Sequence, residues 1–296
     1  MKNKGYLFGL SAVAIWTGFI LVSRQGGLGP LNANDVIAIR YFTCSVILLP
    51  FWFFYQRFNF MQWKFVVAAL IGGLAYALCA FRGFQMAPAS HAAVLMPGTL
   101  PILTILFAWL INQERFQWSK WLGVLVICSG ISALLLPVIQ QSGGLNWGHV
   151  WFVAAAACWA LFTILVKRWG ISPWQATISL AFVTGLFYLP VYGVWLPKNI
   201  FVAPWHDIAL QAVYQGFLAT VVQMFCYMNA IRLIGPTNMG SLMALVPVMA
   251  GLSALVLFNE PLTAGLISAL ALVSLGTWIT HTGWFEKWST ATLLRN

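Results

Sequence analysis

The sequence predicts an all-α integral membrane protein whose ten transmembrane helices form two inverted five-helix repeats. The chain has 296 residues, of which 61% are hydrophobic and 7% are charged. Soluble domains carry about 25% charged residues, so this composition excludes a soluble globular protein. Ten apolar runs follow one another along the chain, and motifs of the first five runs recur in the last five.

Each run approaches the roughly 20 apolar residues that a membrane helix needs. The runs are continuously apolar, whereas the strands of a membrane barrel alternate apolar and polar residues. Lys2 and Lys4 before the first run resemble the start of a signal peptide, but the run exceeds the ~7–15 residues typical of a signal core, so we expect a spanning helix. The predicted spans are 6–23, 36–55, 65–86, 89–111, 118–138, 147–166, 173–196, 208–233, 238–258 and 262–283.

The net charge of +10 comes from 15 Lys and Arg residues against five Asp and Glu residues, and the cations lie mostly at the junctions between apolar runs. This distribution is typical of topology signals and not of a nucleic-acid-binding face. With a cytoplasmic N-terminus, the inner segments carry eleven of these cations and the outer segments carry four. The sequence therefore predicts that both termini are cytoplasmic, and we expect no nucleic-acid partner.

Common catalytic and cofactor motifs are absent from the sequence. It has no phosphate-binding loop ending in Gly-Lys-Ser/Thr, no His-Glu-x-x-His and no Gly-x-Ser-x-Gly. The five cysteines lie within apolar runs without Cys-x-x-Cys spacing, which favours buried thiols over disulfides or metal ligands. We therefore expect no metal, no cofactor, no ATP-driven step and no enzymatic activity.

Residues 87–114 and 235–260 show the internal duplication most clearly. Each segment has a proline inside its apolar run, a glutamate 13 residues later and a glycine 16 residues beyond that. Because each repeat has five spans, the second copy must cross the membrane in the opposite sense. Inverted repeats are typical of secondary transporters with a substrate site near the bilayer midplane. The predicted repeats are residues 1–141 and 142–296, and the matching residues are Pro101 and Pro247, Glu114 and Glu260, and Gly130 and Gly276.

The sequence resembles the drug/metabolite transporter superfamily, in its ten-helix branch built of two EamA repeats. The resemblance covers nearly the whole chain and rests on those pairs, on Gly123, and on Gly5 to Trp16 and Gly148 to Trp159, each 11 residues apart. It departs at Ala269, where a glycine matching Gly123 is expected, although Gly265 lies nearby. The resemblance implies a bacterial inner-membrane transporter that mostly exports amino acids and related metabolites. It also implies a cavity lined by spans one to four and six to nine, with spans five and ten as support.

The acidic residues predict structural roles. Glu114 and Glu260 lie about 20 Å beyond their prolines, at opposite membrane faces, where we expect each to cap the helix that follows. The other three carboxylates also lie at span ends. The small multidrug branch of the superfamily uses a membrane-embedded glutamate for proton-coupled export of cationic drugs. This chain has no carboxylate in the middle of a span, so that chemistry is not expected.

Aromatic and amide side chains inside the spans are candidates for the substrate site. Trp16 and Trp159 occupy equivalent mid-span positions, away from the interfacial belts where tryptophan concentrates, and they can wall a cavity or simply pack between helices. Tyr76, Gln223 and Tyr227 carry polar groups that need partners at membrane depth.

Charged and titratable groups near the outer ends of spans complete the candidate site. His91 is the best available titrating group and aligns with Asn238 in the other repeat; the alternative is an ordinary interfacial histidine. Arg82 and Arg40 have no charged counterpart at their repeat positions. They suit an electropositive vestibule, with Arg82 as the anion anchor, or they extend to the interface.

The prolines inside spans are candidate hinges. Pro97, Gly98, Pro101 and Pro247 can bend their helices and free a backbone carbonyl toward the cavity. The alternative is a fixed bend that improves packing.

Taken together, the sequence predicts a secondary transporter of small metabolites that works by alternating access, with export of amino acids or related zwitterionic or anionic metabolites favoured. Efflux of drug-like amphipaths is the alternative within transport. A membrane enzyme, a lipid-handling protein or a non-transporting receptor subunit is the alternative outside it. The expected partners are a small-molecule substrate and the lipid bilayer; a monomer is sufficient, and a homo-oligomer stays open.

Overall fold

The computed structural model describes residues 2–114, 118–140 and 145–282. Within them, ten helices are long and apolar enough to cross a membrane, and no strand forms. The predicted fold class and ten spans are therefore confirmed. The predicted end of span ten at Gly283 lies outside the described residues, as do Arg115, Glu286, Lys287 and Arg295. The helices are α1 Lys2–Leu28, α2 Ala33–Phe54, α3 Trp63–Met86, α4 Ala89–Asn112, α5 Trp118–Gln140, α6 Trp147–Arg168, α7 Pro173–Val194, α8 Trp205–Gly235, α9 Asn238–Phe258 and α10 Ala264–Thr282.

Helix starts follow from local capping chemistry. Asn32 and Asp35 form a capping box at the start of α2, with the Asp35 carboxylate accepting from the Asn32 N–H at 2.9 Å. Asp35 also accepts from the Tyr192 hydroxyl at 2.6 Å and from the backbone N–H of Asn199. The carboxylate thus ties the start of α2 to the end of α7. Ser172 and Gln175 form a second capping box at the start of α7, ahead of a first-turn proline.

Helices α3 and α8 each contain a wide π-helical segment, Leu70–Ala75 and Ala212–Val222. Ordinary α-helix resumes at Tyr76 and at Gln223, which are equivalent positions of the duplication. π turns leave carbonyls without their usual partner, and the Tyr41 hydroxyl donates to the Gly73 carbonyl at 2.9 Å. Such segments are frequent at functional sites. Their recurrence in both halves therefore makes the interior of α3 and of α8 a place to look for a site.

The helices of the two halves pack on each other in a matching pattern. Helix α1 packs against α8 and α9, and its counterpart α6 packs against α3 and α4. Helices α4 and α9 face each other, as do α2 and α7. The first-half helices thus meet second-half helices throughout the interior. A site at the centre of the bundle would therefore lie between the two halves.

Helices α5 and α10 pack mainly on each other. A Cβ at Gly123 would lie 2.8 Å from the Gly276 carbonyl, and one at Gly276 would lie 2.7 Å from the Gly123 carbonyl. Only residues without side chains allow this approach, which gives the two glycines a packing role. Large apolar side chains such as Leu125 and Val256 face outward from the bundle, as expected of a surface in contact with lipid.

Candidate functional site

A central cavity of about 420 Å³ lies between α1, α3, α4, α6 and α9. Both halves of the chain contribute to it, although no residue of α2, α7 or α8 lies on its wall. The lining residues are Trp16, Phe19, Ile20, Tyr76, Met96, Pro97, Leu100, Ala156, Trp159 and Val246.

Aromatic rings form much of the wall. The Trp159 ring centroid lies 5.1 Å from that of Tyr76 and 5.2 Å from that of Phe162. Trp16, Tyr76 and Trp159 each lie near the middle of their helices, so the cavity is at the centre of the bundle. Among the described residues, the two indole N–H groups and the Tyr76 hydroxyl have no hydrogen-bond partner. The cavity is therefore apolar, with a few uncommitted donors.

Of the predicted substrate-binding residues, Trp16, Tyr76 and Trp159 line this cavity, as does the predicted hinge residue Pro97. Five others lie outside the wall: Arg82, His91, Gln223, Tyr227 and Asn238.

Arg82 is exposed, and its guanidinium carbon lies 5.6 Å from the centre of the Trp151 ring. It therefore packs against an aromatic side chain of α6 and lies outside the cavity wall. Gln223 is buried, and its Oε1 has no partner among the described residues.

Tyr227 packs with Ala12 and Cys226 in a separate apolar cluster. Asn238 donates to the Ile234 carbonyl at 2.7 Å across the break between α8 and α9. That break is at Gly235, whose φ of 84° lies in the region that glycine adopts most readily.

His91 pairs with His149 and not with its repeat counterpart Asn238. The Nδ1 of His91 lies 2.8 Å from the Nε2 of His149, and the ring centroids are 5.1 Å apart. This contact joins the first turns of α4 and α6, on the N-terminal side of the residues that these two helices contribute to the cavity. The sequence alignment of the repeats could not reveal it because the two histidines occupy non-equivalent positions.

Glu260 binds a helix start, but not that of the helix that follows it. Its two carboxylate oxygens accept from the backbone N–H groups of Ala89 and Ser90 at 2.8 and 2.9 Å. It therefore caps α4, in the other half of the chain, and the expected partner α10 was wrong. A helix start 171 residues away in the chain becomes the neighbour because α4 and α9 pack together.

Glu114 makes a different contact from Glu260. Its Oε1 accepts from the Lys167 ammonium at 2.8 Å and from the Asn112 amide at 3.2 Å. The Lys167 hydrogen bond holds the pKa of Glu114 below its usual range. The predicted cap of the following helix is not among the contacts of the described residues, and Glu114 instead ties the end of α4 to the end of α6.

The candidate hinge residues differ in their surroundings. Helix α4 continues without interruption through Pro97, Gly98 and Pro101. Helix α9 is interrupted by a turn at residues 244–245 and resumes at Val246, the residue before Pro247. Pro247 thus coincides with a break in its helix, and hinge motion at any of the four stays a prediction.

Several lining residues escaped the sequence prediction although helical spacing indicates them. Phe19 and Ile20 lie three and four residues after Trp16, and Ala156 lies three residues before Trp159, so each shares a helix face with a predicted residue. Met96 and Val246 give no signal beyond their proline neighbours. Within the described part of the chain, no group of three or more His, Cys, Asp and Glu side chains could hold a metal ion.

Ten spanning helices with a cavity between two matching halves define a multi-pass membrane protein of the transporter class. The model of the EamA-like transporter family matches residues 3–136 and 146–282. The chain therefore belongs to the EamA-like transporter family, within the drug/metabolite transporter superfamily, which confirms the resemblance seen in the sequence.

Known proteins similar to this chain are also transporters. The S-adenosylmethionine uptake transporter of Rickettsia bellii is 24% identical over 78% of this chain and 77% of its own length. The aromatic amino acid exporter YddG of Salmonella typhimurium is 23% identical over 93% of this chain and 96% of its own length. A solved structure covers 94% of this chain and 96% of its own, with a TM-score of 0.61 and 19% identity, which supports the fold alone.

Proposed function

We propose that this protein is a secondary transporter that exports amino acids, or related zwitterionic or anionic metabolites, across the bacterial inner membrane by alternating access. The observation that carries the proposal is the aromatic cavity at the centre of the bundle, between the two halves. A site at that place is reached from either membrane face when one half moves against the other.

The wall of the cavity favours an amino acid with an apolar or aromatic side chain. The rings of Trp159 and Tyr76 offer faces and edges for such a side chain, and aromatic pairs contribute roughly 0.5–1.5 kcal/mol beyond the area that they bury. The uncommitted indole and hydroxyl donors suit a carboxylate. The described carboxylates bind other groups away from the wall, which disfavours cationic substrates.

The relatives support the substrate class and leave the direction to experiment. One similar protein is named for aromatic amino acid export and another for uptake of an amino-acid derivative, so both point to metabolites that carry an α-amino acid group. Export is our proposal, together with the cytoplasmic location of both termini that the positive-inside rule predicts.

Transport by the purified chain in proteoliposomes tests the proposal. Vesicles loaded with unlabelled L-phenylalanine should accumulate external labelled L-phenylalanine by counterflow. Trp159→Ala should reduce the rate about tenfold, since a lost aromatic contact of about 1.4 kcal/mol corresponds to that factor. Trp159→Phe keeps an aromatic ring and is the matched control, so we expect most of the rate to be retained.

Efflux of drug-like amphipaths is the second candidate, favoured by the apolar lining of the cavity. It predicts that hydrophobic dyes compete with phenylalanine counterflow and that charged amino-acid groups add nothing to recognition. Counterflow of a labelled dye that no amino acid inhibits, together with no counterflow of phenylalanine, would support this candidate and refute amino-acid transport.

A further inference from the structure

Arg40 is a buried cation that the proposed mechanism does not yet use. It lies in α2 seven residues beyond Ala33, about 10 Å along the helix from its outer end. Only 8% of the residue is exposed. A guanidinium at such depth is rare and costly in a membrane protein, and it usually serves the transported substrate or ion.

The guanidinium has no carboxylate partner among the described residues. Asp35, the nearest in sequence, is held by Tyr192 and Asn199 at the outer joint. The other described carboxylates have partners elsewhere: Glu114 pairs with Lys167, Asp207 contacts His206, and Glu260 caps α4. A buried charge that lacks a counter-ion is strongly unfavourable, so the fold retains here a positive charge that an anion can neutralise.

Neutral groups hold the guanidinium in place. Its Nη1 lies 3.4 Å from the Oε1 of Gln215, a weak contact, and its Nε is buried without a partner. Gln215 is itself fully buried, and its amide donates to the Ser23 hydroxyl at 3.0 Å. Gly216 allows this approach of α8 to α2, since a Cβ there would lie 2.5 Å from Thr43. Packing therefore holds the guanidinium in place, and it still has N–H groups that can donate hydrogen bonds to a ligand.

One aromatic ring separates Arg40 from the central cavity. The Phe19 ring lines the cavity, and its centroid lies 5.5 Å from the guanidinium carbon of Arg40. Tyr41 flanks the guanidinium at 5.8 Å and is itself fixed through its hydroxyl on Gly73. A rotation of Phe19 would join the positive charge to the aromatic cavity.

We propose that Arg40 binds the carboxylate of the transported substrate. When the Phe19 ring turns aside, the guanidinium forms a two-pronged, charge-assisted pair with the carboxylate in place of its weak contact to Gln215. The substrate side chain then lies against Trp159 and Tyr76. This inference rests on the proposed function and replaces Arg82, the exposed arginine that the sequence favoured, as the anion anchor.

A pair of ligands that differ only in the carboxylate tests the proposal. Binding of L-phenylalanine and of L-phenylalaninamide is measured on the purified full chain by calorimetry. The wild type should bind the acid about ten- to a hundredfold more tightly than the amide, the range expected for charged hydrogen bonds. Arg40→Gln should abolish this preference by weakening the acid alone, and Arg40→Lys should keep part of it. Lys198→Gln, which removes a partly exposed cation whose ammonium donates to the Gly193 carbonyl, is the control and should keep the full preference.

Thermal unfolding separates a binding role from a structural one. If Arg40 is held for the substrate, Arg40→Gln leaves the ligand-free melting temperature unchanged or raises it, because a buried unpaired charge is removed. Loss of stability together with equal loss of both ligands would overturn the proposal, as would loss of preference in Arg82→Gln but not in Arg40→Gln. Equal wild-type binding of acid and amide would refute the role of Arg40 and leave amino-acid transport standing. Binding of neither would refute both.

Discussion

Glu260 provides the sharpest test of how the two halves are joined. Its carboxylate accepts two backbone hydrogen bonds at the start of α4, at 2.8 and 2.9 Å from Ala89 and Ser90. Loss of a helix cap costs about 0.5–2 kcal/mol, and the interaction of a negative charge with a helix N-terminus adds roughly 0.3–1 kcal/mol. We therefore expect Glu260→Ala to lower the free energy of unfolding by about 2 kcal/mol.

Glu114, the equivalent residue of the first repeat, is the matched control. Its main partner Lys167 has a side chain that is 67% exposed, and exposed ion pairs contribute about 0–1 kcal/mol. The assay is equilibrium unfolding of the purified chain in detergent, followed by tryptophan fluorescence. Equal losses for Glu260→Ala and Glu114→Ala, or no loss for the first, would refute the assignment of Glu260 as the cap of α4.

Two further predictions follow from local chemistry. Since Lys167 lowers the pKa of Glu114, their pairing stabilises the fold above the usual carboxyl pKa of about 4.3 and is lost as the pH falls through the lowered value. Lys167→Met should flatten that part of the pH–stability curve, and an unchanged curve would contradict the pairing. Gly123→Val should destabilise the fold by roughly 1–3 kcal/mol, because its side chain would meet the Gly276 backbone of α10. Melting temperatures against Gly193→Ala, where open space surrounds the position, provide the comparison.

The ten helices could be predicted from the sequence because apolar length alone decides which segments cross a bilayer. Trp16, Tyr76 and Trp159 could also be found, since aromatic residues at mid-span lie outside the interfacial belts. The π-helical segments could not be predicted, because no characteristic amino-acid composition identifies a wide helical turn. They end directly before Tyr76 in one half and directly before Gln223 in the other.

Contacts between distant helices could not be predicted from the sequence. The capping chemistry of Glu260 was visible in the sequence, but its partner depends on which helix starts nearby in space. His91 meets His149 for the same reason, and the alignment of the repeats, which matches His91 with Asn238, could not reveal this contact. Arg40 and Arg82 are alike in sequence, and only packing reveals that one is buried behind Phe19 while the other is exposed.

The most direct test of a central amino-acid site is counterflow of labelled L-phenylalanine in proteoliposomes, measured for the wild type, Trp159→Phe and Trp159→Ala. The cavity geometry predicts rapid exchange by the wild type, most of that rate with the phenylalanine variant and about a tenth of it with the alanine variant. Equal rates for all three proteins would contradict a substrate site at the aromatic cavity. No exchange by the wild type, with any amino acid as the label, would contradict amino-acid transport itself.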